Sequence, residues 1–224
     1  MVAGSPVYLV MIVVGVLLGA IYWWFQARDD ARIPMIYLGG LVGAFLGAKL
    51  AYLIAEGWLD AASPDRWALW LSGKSITGAL PGGWAGVEIA KQRMGYRAVT
   101  GDRFALLLPV PLALGRIGCL DAGCCRGLGG WPAVPVEIGF QLVALVGLLF
   151  LRQRKWLPGQ HFHIYLMAYG LFRFFHEFLR ATPKALGGLS GYQWVSLATA
   201  LGAAIAFRQR AMSSISLRPG GGAT

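Results

Sequence analysis

One apolar segment, "YGLFRFFHEFLR" (169–180), carries charged side chains at helical spacing. Arg173, Glu177 and Arg180 fall at positions i, i+4 and i+7, so a helix here places them on one face. Arg173 and Glu177 can pair directly, and a structural ion pair that pins two helices together is one interpretation. Buried arginines also bind phosphate groups through two parallel hydrogen bonds. The segment is therefore a candidate for binding an anionic ligand.

A second segment, "GRIGCLDAGCCRG" (115–127), contains Arg116 and every cysteine of the chain, namely Cys119, Cys124 and Cys125. Four interpretations stay open. The cysteines are small buried packing residues, or Cys119 forms a disulfide with one of the other two outside the cytoplasm. Alternatively, the three thiols hold a soft metal ion, or the nearby arginines favour a nucleophilic thiolate. Because the spacing is no standard zinc signature, we predict neither a metal nor a cofactor.

The composition is that of a polytopic helical membrane protein. Of 224 residues, 57% are hydrophobic and only 13% are charged, about half the charged fraction of a typical soluble domain. Long apolar runs recur along the chain, and a helix of about 20 such residues crosses a bilayer. The formal net charge of +10 comes from Lys and Arg clustered between these runs, as membrane topology requires. We therefore predict an integral membrane protein without a nucleic-acid partner.

The apolar runs predict an all-α fold, a bundle of seven transmembrane helices in one domain over residues 1–211. The first run is expected to be a retained span rather than a signal peptide, because no basic segment precedes it. The third run contains Pro81 and Glu88 and is expected to be broken or shielded from lipid. Residues 212–224 are polar and Gly-rich and are expected to form a disordered tail. The predicted spans are 7–26, 34–56, 76–92, 104–120, 134–151, 161–180 and 191–207.

The distribution of Lys and Arg orients this bundle. Basic residues concentrate in the first, third and fifth loops and in the C-terminal tail, and cytoplasmic loops carry such an excess. The N-terminus is therefore predicted outside and the C-terminus in the cytoplasm. The basic residues on the predicted cytoplasmic side are Arg28, Arg32, Lys91, Arg93, Arg97, Arg103, Arg152, Arg154, Lys155, Arg208, Arg210 and Arg218.

Small residues recur every four positions in "GGLVGAFLGAKL". Gly39, Gly43 and Gly47 then share one helix face. Small residues let helix backbones approach closely in membranes. We predict a close contact between two helices here and no catalytic role.

This orientation brings the reactive side chains to one level of the bilayer. Spans four and six both run outward, so Arg116 and the segment from Arg173 to Arg180 lie toward their outer ends, and span three begins there with Thr77. Lys49 either lines the same pocket or extends its amine to the surface. A positive pocket at headgroup depth suits an anionic lipid such as phosphatidylglycerol. The expected charges are positive for Arg116, Arg126, Arg173 and Arg180 and negative for Asp121 and Glu177.

Several motifs, in order along most of the chain, resemble those of bacterial prolipoprotein diacylglyceryl transferases. "GRIGCLDAGCCRG" is similar to a G-R-x-G-N signature, and "YGLFRFFHEFLR" is similar to a late R-F-x-x-E-F-x-R helix. "SGKSITGALPGG" resembles S-F-H-G-G-L-x-G, "LGAKLAYLI" resembles L-G-x-R-x-x-Y, and "GYQWVS" resembles G-Q-x-x-S. The family has seven spans in the same orientation.

The resemblance implies a multi-pass enzyme of the bacterial inner membrane that moves a diacylglyceryl group from phosphatidylglycerol to the cysteine of a lipoprotein precursor. Glycerol phosphate leaves. Arg116 and Arg173 would hold the lipid phosphate and stabilise its charge as it leaves, and Glu177 would orient Arg173. The expected catalytic residues are Arg116, Arg173, Glu177, Cys119 and Cys124, and the expected substrate-binding residues are Tyr8, Lys49, Thr77, Arg116, Arg173 and Arg180.

Four positions depart from the family's pattern. The histidine of S-F-H-G-G is Thr77 here, and the arginine of the second span is Lys49. The asparagine of the signature is Cys119, and a later glutamate is Cys124. The stretch after the signature is short and lacks an evident P-x-Q-x-Y-E run. Threonine does not act as a base near pH 7, and His176 replaces the histidine only if its ring turns into the pocket.

Two other classes of function stay open. A non-catalytic descendant would bind lipid as an accessory or structural subunit of a membrane complex, and replacing its arginines would disturb stability or assembly without affecting turnover. A membrane thiol or metal protein would depend on its cysteines more than on its arginines.

Overall fold

The computed structural model describes residues 6–123 and 125–216, and the regular structure of this part is helical. Short 3-10 and π turns continue some of the helices, as at Leu53–Gly57 after α2 and Glu177–Leu179 after α8. The α-helices are α1 (Pro6–Gln26), α2 (Ile33–Tyr52), α3 (Arg66–Ser72), α4 (Ile76–Arg93), α5 (Gly101–Leu107), α6 (Pro109–Asp121), α7 (Ala133–Gln153), α8 (His161–His176) and α9 (Gly191–Ser216).

Each predicted span coincides with helical structure, and the fourth corresponds to α5 and α6 together. These two helices are separated at Leu108, because Pro109 and Pro111 lack the N–H groups that would continue the helical hydrogen bonds. Four stretches are long and apolar enough to cross a membrane, namely Pro6–Gln26, Ile33–Gly57, Gly101–Asp121 and Ala133–Gln153. The prediction of an all-helical membrane protein is confirmed at this level.

Large apolar side chains remain exposed along the outer faces of these helices. Leu9 on α1, Leu46 on α2 and Val143 on α7 are each more than half exposed. A water-soluble monomer rarely leaves so much contiguous apolar surface uncovered. Hydrocarbon chains of a bilayer cover such surface without cost.

The glycines of α2 pack directly against glycines of α4. A Cβ placed on Gly43 would lie against the carbonyl oxygen of Gly82, and one on Gly47 would meet that of Gly78. The relation is reciprocal, since a Cβ on Gly82 would meet the carbonyl oxygen of Gly43. The predicted contact face is confirmed, and its partner is a second row of glycines four residues apart on α4.

Helix α4 continues through Pro81 without a break. Proline removes one hydrogen bond and crowds the preceding turn, but Pro81 is only the sixth residue of the helix, which begins at Ile76. The glycine face of α4 is covered by α2. The segment is therefore a continuous helix and not a broken one, and α2 shields its glycine face.

Helix α8 lies at the centre of the fold, with α9 and α7 packed against it. Tyr165, Leu166 and Tyr169 of α8 are almost completely buried and form a core with Leu80 of α4 and Leu148 of α7. The last turns of α8 are therefore held deep in the protein, and the charged residues of this helix occur there.

Candidate functional site

A single carboxylate, Glu137 on α7, collects three arginines. Its Oε1 lies 2.7 Å from Nη2 of Arg116, and its Oε2 lies 3.1 Å from Nη1 of Arg173. Nη1 of Arg180 lies 3.8 Å from the same Oε2. The Tyr169 hydroxyl donates a hydrogen bond of 3.1 Å to Oε1. Residues from α6, α7, α8 and the segment after α8 thus meet at one carboxyl group.

Glu177 supplies the second carboxylate of this cluster. Its Oε2 accepts a hydrogen bond of 2.7 Å from Arg173 and lies 3.5 Å from Nε of Arg180. Its Oε1 accepts a hydrogen bond of 2.6 Å from the Thr182 hydroxyl. The predicted pairing of Arg173 with Glu177 is confirmed. We call Arg116, Arg173, Arg180, Glu137 and Glu177 the arginine cluster.

The arginine cluster is buried although every member is ionisable. Glu137 and Glu177 are 0% exposed, and no arginine of the cluster is more than 7% exposed. Removing a charge from water costs several kcal/mol unless partners replace the water. Three guanidinium groups against two carboxylates leave the cluster net positive. A group that adds negative charge here would complete the charge balance.

The helices present these side chains with favourable backbone dipoles. Arg116 and Arg173 lie in the C-terminal halves of α6 and α8, and Glu137 lies near the N-terminus of α7. Helix C-termini carry partial negative charge and N-termini partial positive charge. This effect fades beyond the first or last turn of a helix, so it acts mainly on Arg173, which lies in the last turn of α8.

Backbone contacts hold two loops of the site together. Gly127 and Arg180 form an antiparallel bridge, and the Ala181 N–H donates to the Arg126 carbonyl at 3.2 Å. The segment after α6 is thereby tied to the segment after α8. This contact brings Cys125 close to the arginine cluster.

The sulfur atoms of two cysteines flank Arg116. Its Nη1 lies 3.4 Å from Sγ of Cys125 and 3.9 Å from Sγ of Cys119. The hydrogen bond with Cys119 lowers the pKa of the Cys125 thiol well below its usual value, and Arg116 and Arg180 lower it further, while burial opposes them. Cys125 also has a left-handed backbone conformation, with φ of 61°, which is uncommon for a residue with a side chain. The Cys125 thiol is therefore more acidic than an ordinary cysteine thiol, and its thiolate would balance the one net positive charge of the arginine cluster.

Within the described part of the chain, several guanidinium N–H groups of the cluster are buried without a hydrogen-bond acceptor. Nε of Arg116, Nε of Arg173, and both Nε and Nη1 of Arg180 have no hydrogen-bond acceptor among the described residues. Buried donors normally have an acceptor. Phosphate oxygens accept several such bonds at once, and arginine's planar fork matches their geometry.

A model of the prolipoprotein diacylglyceryl transferase family matches residues 6–208. The chain belongs to this family. A phosphatidylglycerol–prolipoprotein diacylglyceryl transferase of Bordetella parapertussis is 32% identical over 193 residues, which cover 75% of this chain and 71% of the relative. Relatives of the same description from Clostridium perfringens and Clostridium tetani are each 28% identical, over 72% and 86% of this chain and 72% and 88% of their own length.

The remaining residues that the sequence predicts for the site lie outside the arginine cluster. Tyr8 packs against Gly118 of α6, between Arg116 and Cys119 in the chain. Thr77 is buried, and its hydroxyl hydrogen-bonds with that of Ser75. The remaining positions are Arg126, which is exposed and donates to the carbonyl of Gly123, and Cys124, which lies outside the described residues.

The amine of Lys49 contacts backbone carbonyl groups at the end of α3. The amine donates to the carbonyl oxygens of Leu71 at 2.6 Å and Gly73 at 3.0 Å, and it also contacts the carbonyl of Trp70. These are the last carbonyl groups of α3 and its following residue, which a helix leaves without internal partners. Lys49 therefore caps the C-terminal end of α3.

Glu137 lies at the centre of the site but is missing from the site residues predicted from the sequence. A signal was available, because Pro132 and Glu137 have the spacing of the first and last residues of the family's P-x-Q-x-Y-E run. The two polar residues between them are Val134 and Val136 here. The substitution of these polar residues concealed the match.

Proposed function

We propose that this protein transfers a diacylglyceryl group from phosphatidylglycerol to the cysteine thiol of a lipoprotein precursor, with release of glycerol phosphate. The names of its relatives describe that activity for them. The observation that carries the proposal to this chain is the arginine cluster, in which three buried guanidinium groups converge and several of their N–H groups have no hydrogen-bond acceptor among the described residues.

In the proposed reaction, Arg116 and Arg173 bind the phosphate of the lipid. The bond between the glycerol carbon and a phosphate oxygen breaks, and negative charge grows on that oxygen. Guanidinium groups already in place stabilise this charge without reorganising, which is the usual source of large rate effects. Glu137 and Glu177 hold the guanidinium groups in position, and Arg180 adds a third positive charge.

Further substrate contacts are proposed at Tyr8 and Thr77, which lie on α1 and at the start of α4. Cys119 and Cys124 retain their proposed place beside the reaction, and Cys125 joins them because its sulfur contacts Arg116. Lys49 is assigned to holding the end of α3, in view of its three carbonyl contacts.

We also propose that seven helices cross the inner membrane of a bacterium, with the N-terminus outside and the C-terminus in the cytoplasm. The single domain would cover residues 1–211; α9 continues beyond this predicted boundary to Ser216, and the rest of the predicted tail lies outside the described residues. Arg116 and Arg173 lie at the opposite ends of their helices from the basic clusters that indicate the cytoplasm. The arginine cluster would then face the outer leaflet, where a precursor cysteine arrives after translocation.

An apolar cavity of about 270 Å³ supports a lipid substrate. It lies among α1, α2, α4, α5, α6 and α8 and is lined largely by hydrocarbon, as at Ile12, Leu80 and Phe104. No residue of the arginine cluster lines this cavity, and its charged lining, as at Lys91 and Arg210, is on the predicted cytoplasmic side. Apolar pockets with few polar groups select ligands of the same character. Acyl chains are the part of phosphatidylglycerol that this cavity suits.

The proposal is tested with purified protein in vesicles containing phosphatidylglycerol and a lipoprotein-precursor peptide. Release of glycerol phosphate is measured for the wild type, for Arg173→Ala and for Arg152→Ala, an exposed arginine at the other end of α7. We expect Arg173→Ala to lower the rate by about 100-fold or more and Arg152→Ala to leave it unchanged. Folded wild-type protein that binds phosphatidylglycerol without releasing glycerol phosphate would instead be an accessory lipid-binding protein.

A further inference from the structure

Cys119 and Cys125 both lie against the guanidinium group of Arg116. Nη1 of Arg116 is 3.4 Å from Sγ of Cys125 and 3.9 Å from Sγ of Cys119, and the two sulfur atoms share a hydrogen bond. Cys119 belongs to the C-terminal end of α6, and Cys125 belongs to the segment that follows it. A disulfide holds its sulfur atoms about 2 Å apart, so a small movement of the two side chains would join them.

The two cysteines differ in their access to solvent. Cys119 is 7% exposed, whereas Cys125 is partly exposed in the segment after α6. A cysteine attacks an external disulfide as its thiolate, and only where the reagent can reach it. Cys125 meets both conditions, because the positive charges of Arg116 and Arg180 favour its thiolate. Cys125 is therefore suited to attack an external disulfide, and Cys119 to close an internal one.

A negative charge on Cys125 would act directly on the proposed phosphate site. Arg116 binds Glu137 through Nη2 and faces Cys125 through Nη1, so a Cys125 thiolate occupies a donor that a lipid phosphate would use. With the thiolate, the three arginines of the cluster face an equal negative charge from two carboxylates and one sulfur. Without it, one positive charge is left for an anionic ligand.

We propose that Cys119 and Cys125 form a redox switch that controls the binding of phosphatidylglycerol by the arginine cluster, an inference that rests on the proposed lipid-phosphate site. As a dithiol, the pair places negative charge on Arg116 and weakens the binding of lipid phosphate. As a disulfide, the pair is uncharged and leaves Nη1 of Arg116 to the phosphate. Disulfides persist outside the cytoplasm, where the arginine cluster would face, so oxidation produces the binding form in the proposed location.

The oxidant for this step is an external disulfide. The Cys125 thiolate attacks one of its sulfur atoms, forms a mixed disulfide and releases a thiolate. The Cys119 thiol gives its proton to that thiolate and attacks the Cys125 sulfur, and the second external thiolate leaves. The two cysteines lose two electrons, and the external disulfide gains them. Because arginine stabilises the reduced Cys125, the internal disulfide is easily reduced again, as a reversible switch requires.

The switch is tested in three proteins that all carry Cys124→Ser, which removes the thiol adjacent to Cys125. They are the parent with this single change and its Cys119→Ser and Cys125→Ser derivatives. Each protein is kept in dithiothreitol or treated with oxidised glutathione, which is then removed. Differential alkylation and peptide mass spectrometry locate any disulfide. Binding of short-chain phosphatidylglycerol in detergent, the melting temperature and the release of glycerol phosphate are then measured.

We expect oxidation of the parent to form the Cys119–Cys125 disulfide and to tighten phosphatidylglycerol binding about tenfold, because one charge-assisted hydrogen bond is worth about that factor. Reduction should reverse both changes. The Cys125→Ser protein carries a neutral hydroxyl and should bind as tightly as the oxidised parent under either condition. The reduced Cys119→Ser protein keeps the Cys125 thiolate and should bind like the reduced parent.

Other outcomes overturn the switch and are distinct from failure of the transferase function. A folded parent that forms no disulfide, or that binds and transfers equally in both redox states, would remove the switch and leave the transferase standing. Weaker binding by the oxidised parent and by folded Cys125→Ser would make Cys125 a positioning residue of the site. Binding that follows the redox state without release of glycerol phosphate would support the switch and remove the transferase. Absence of phosphatidylglycerol binding in every form would remove the lipid-phosphate site, and the switch with it.

Discussion

Two buried interfaces of this protein use opposite means to join helices. Between α2 and α4, Gly43 and Gly82 approach so closely that neither has room for a Cβ. Between α6, α7 and α8, long charged side chains fill the space around Glu137. The first interface depends on the absence of side-chain atoms and on shape alone. The second depends on charges whose partners must all be present, which is typical of sites that bind or react.

Replacing Glu137 by Gln should have the largest effect, because it leaves three arginines with one remaining carboxylate. Breaking a buried ion pair by removing one partner costs about 3–5 kcal/mol, so we expect a markedly lower melting temperature in detergent and loss of transfer. Glu88→Gln is the control, since Glu88 pairs with Lys91 and its side chain is 46% exposed. Equal melting temperatures for the two variants would contradict a central role for Glu137.

Replacing Gly43 by Ala tests the interface that depends on shape. The new methyl group would meet the carbonyl oxygen of Gly82, and overpacking of this kind costs about 1–3 kcal/mol. We expect lower thermal stability with little change in the rate per folded molecule. Gly147→Ala on α7 is the control because a Cβ there meets nothing within 4 Å. A Gly43→Ala protein as stable as this control would show that α2 and α4 can separate without cost.

The two interfaces also differ in how far the sequence predicts them. The repeat of Gly39, Gly43 and Gly47 predicts a contact face because helical periodicity is local. Arg173 and Glu177 are predicted as a pair for the same reason. The position of Glu137 depends on how three helices and the contact between Arg126 and Ala181 converge, which no local period encodes.

Chemical modification of Cys125 separates an activated thiol from a buried packing residue. Because hydrogen bonding and the arginines lower the pKa of Cys125, its thiolate should persist as the pH falls below the range of an ordinary thiol. We expect alkylation of Cys125 in a Cys124→Ser protein to stay fast at pH 6, measured by mass spectrometry. Arg116→Gln raises the pKa and should slow the reaction at pH 6 more than at pH 9. Equal slowing at both pH values would point to altered access instead of altered ionisation.

The smallest effect is expected at Lys49, where the structure and the family resemblance suggest different roles. The sequence predicted a substrate-binding residue, but the amine binds the carbonyl groups that end α3. These partners could not be predicted, because α3 has only seven residues and shows no span-like pattern.

Loss of such bonds at a partly exposed site should cost about 1 kcal/mol, so Lys49→Met should lower the melting temperature slightly. Its KM for phosphatidylglycerol should stay at the wild-type value, with Lys74→Met as the control for a nearby lysine. A KM raised about tenfold with unchanged stability would place the Lys49 amine on the lipid phosphate, because one charge-assisted hydrogen bond is worth about that factor.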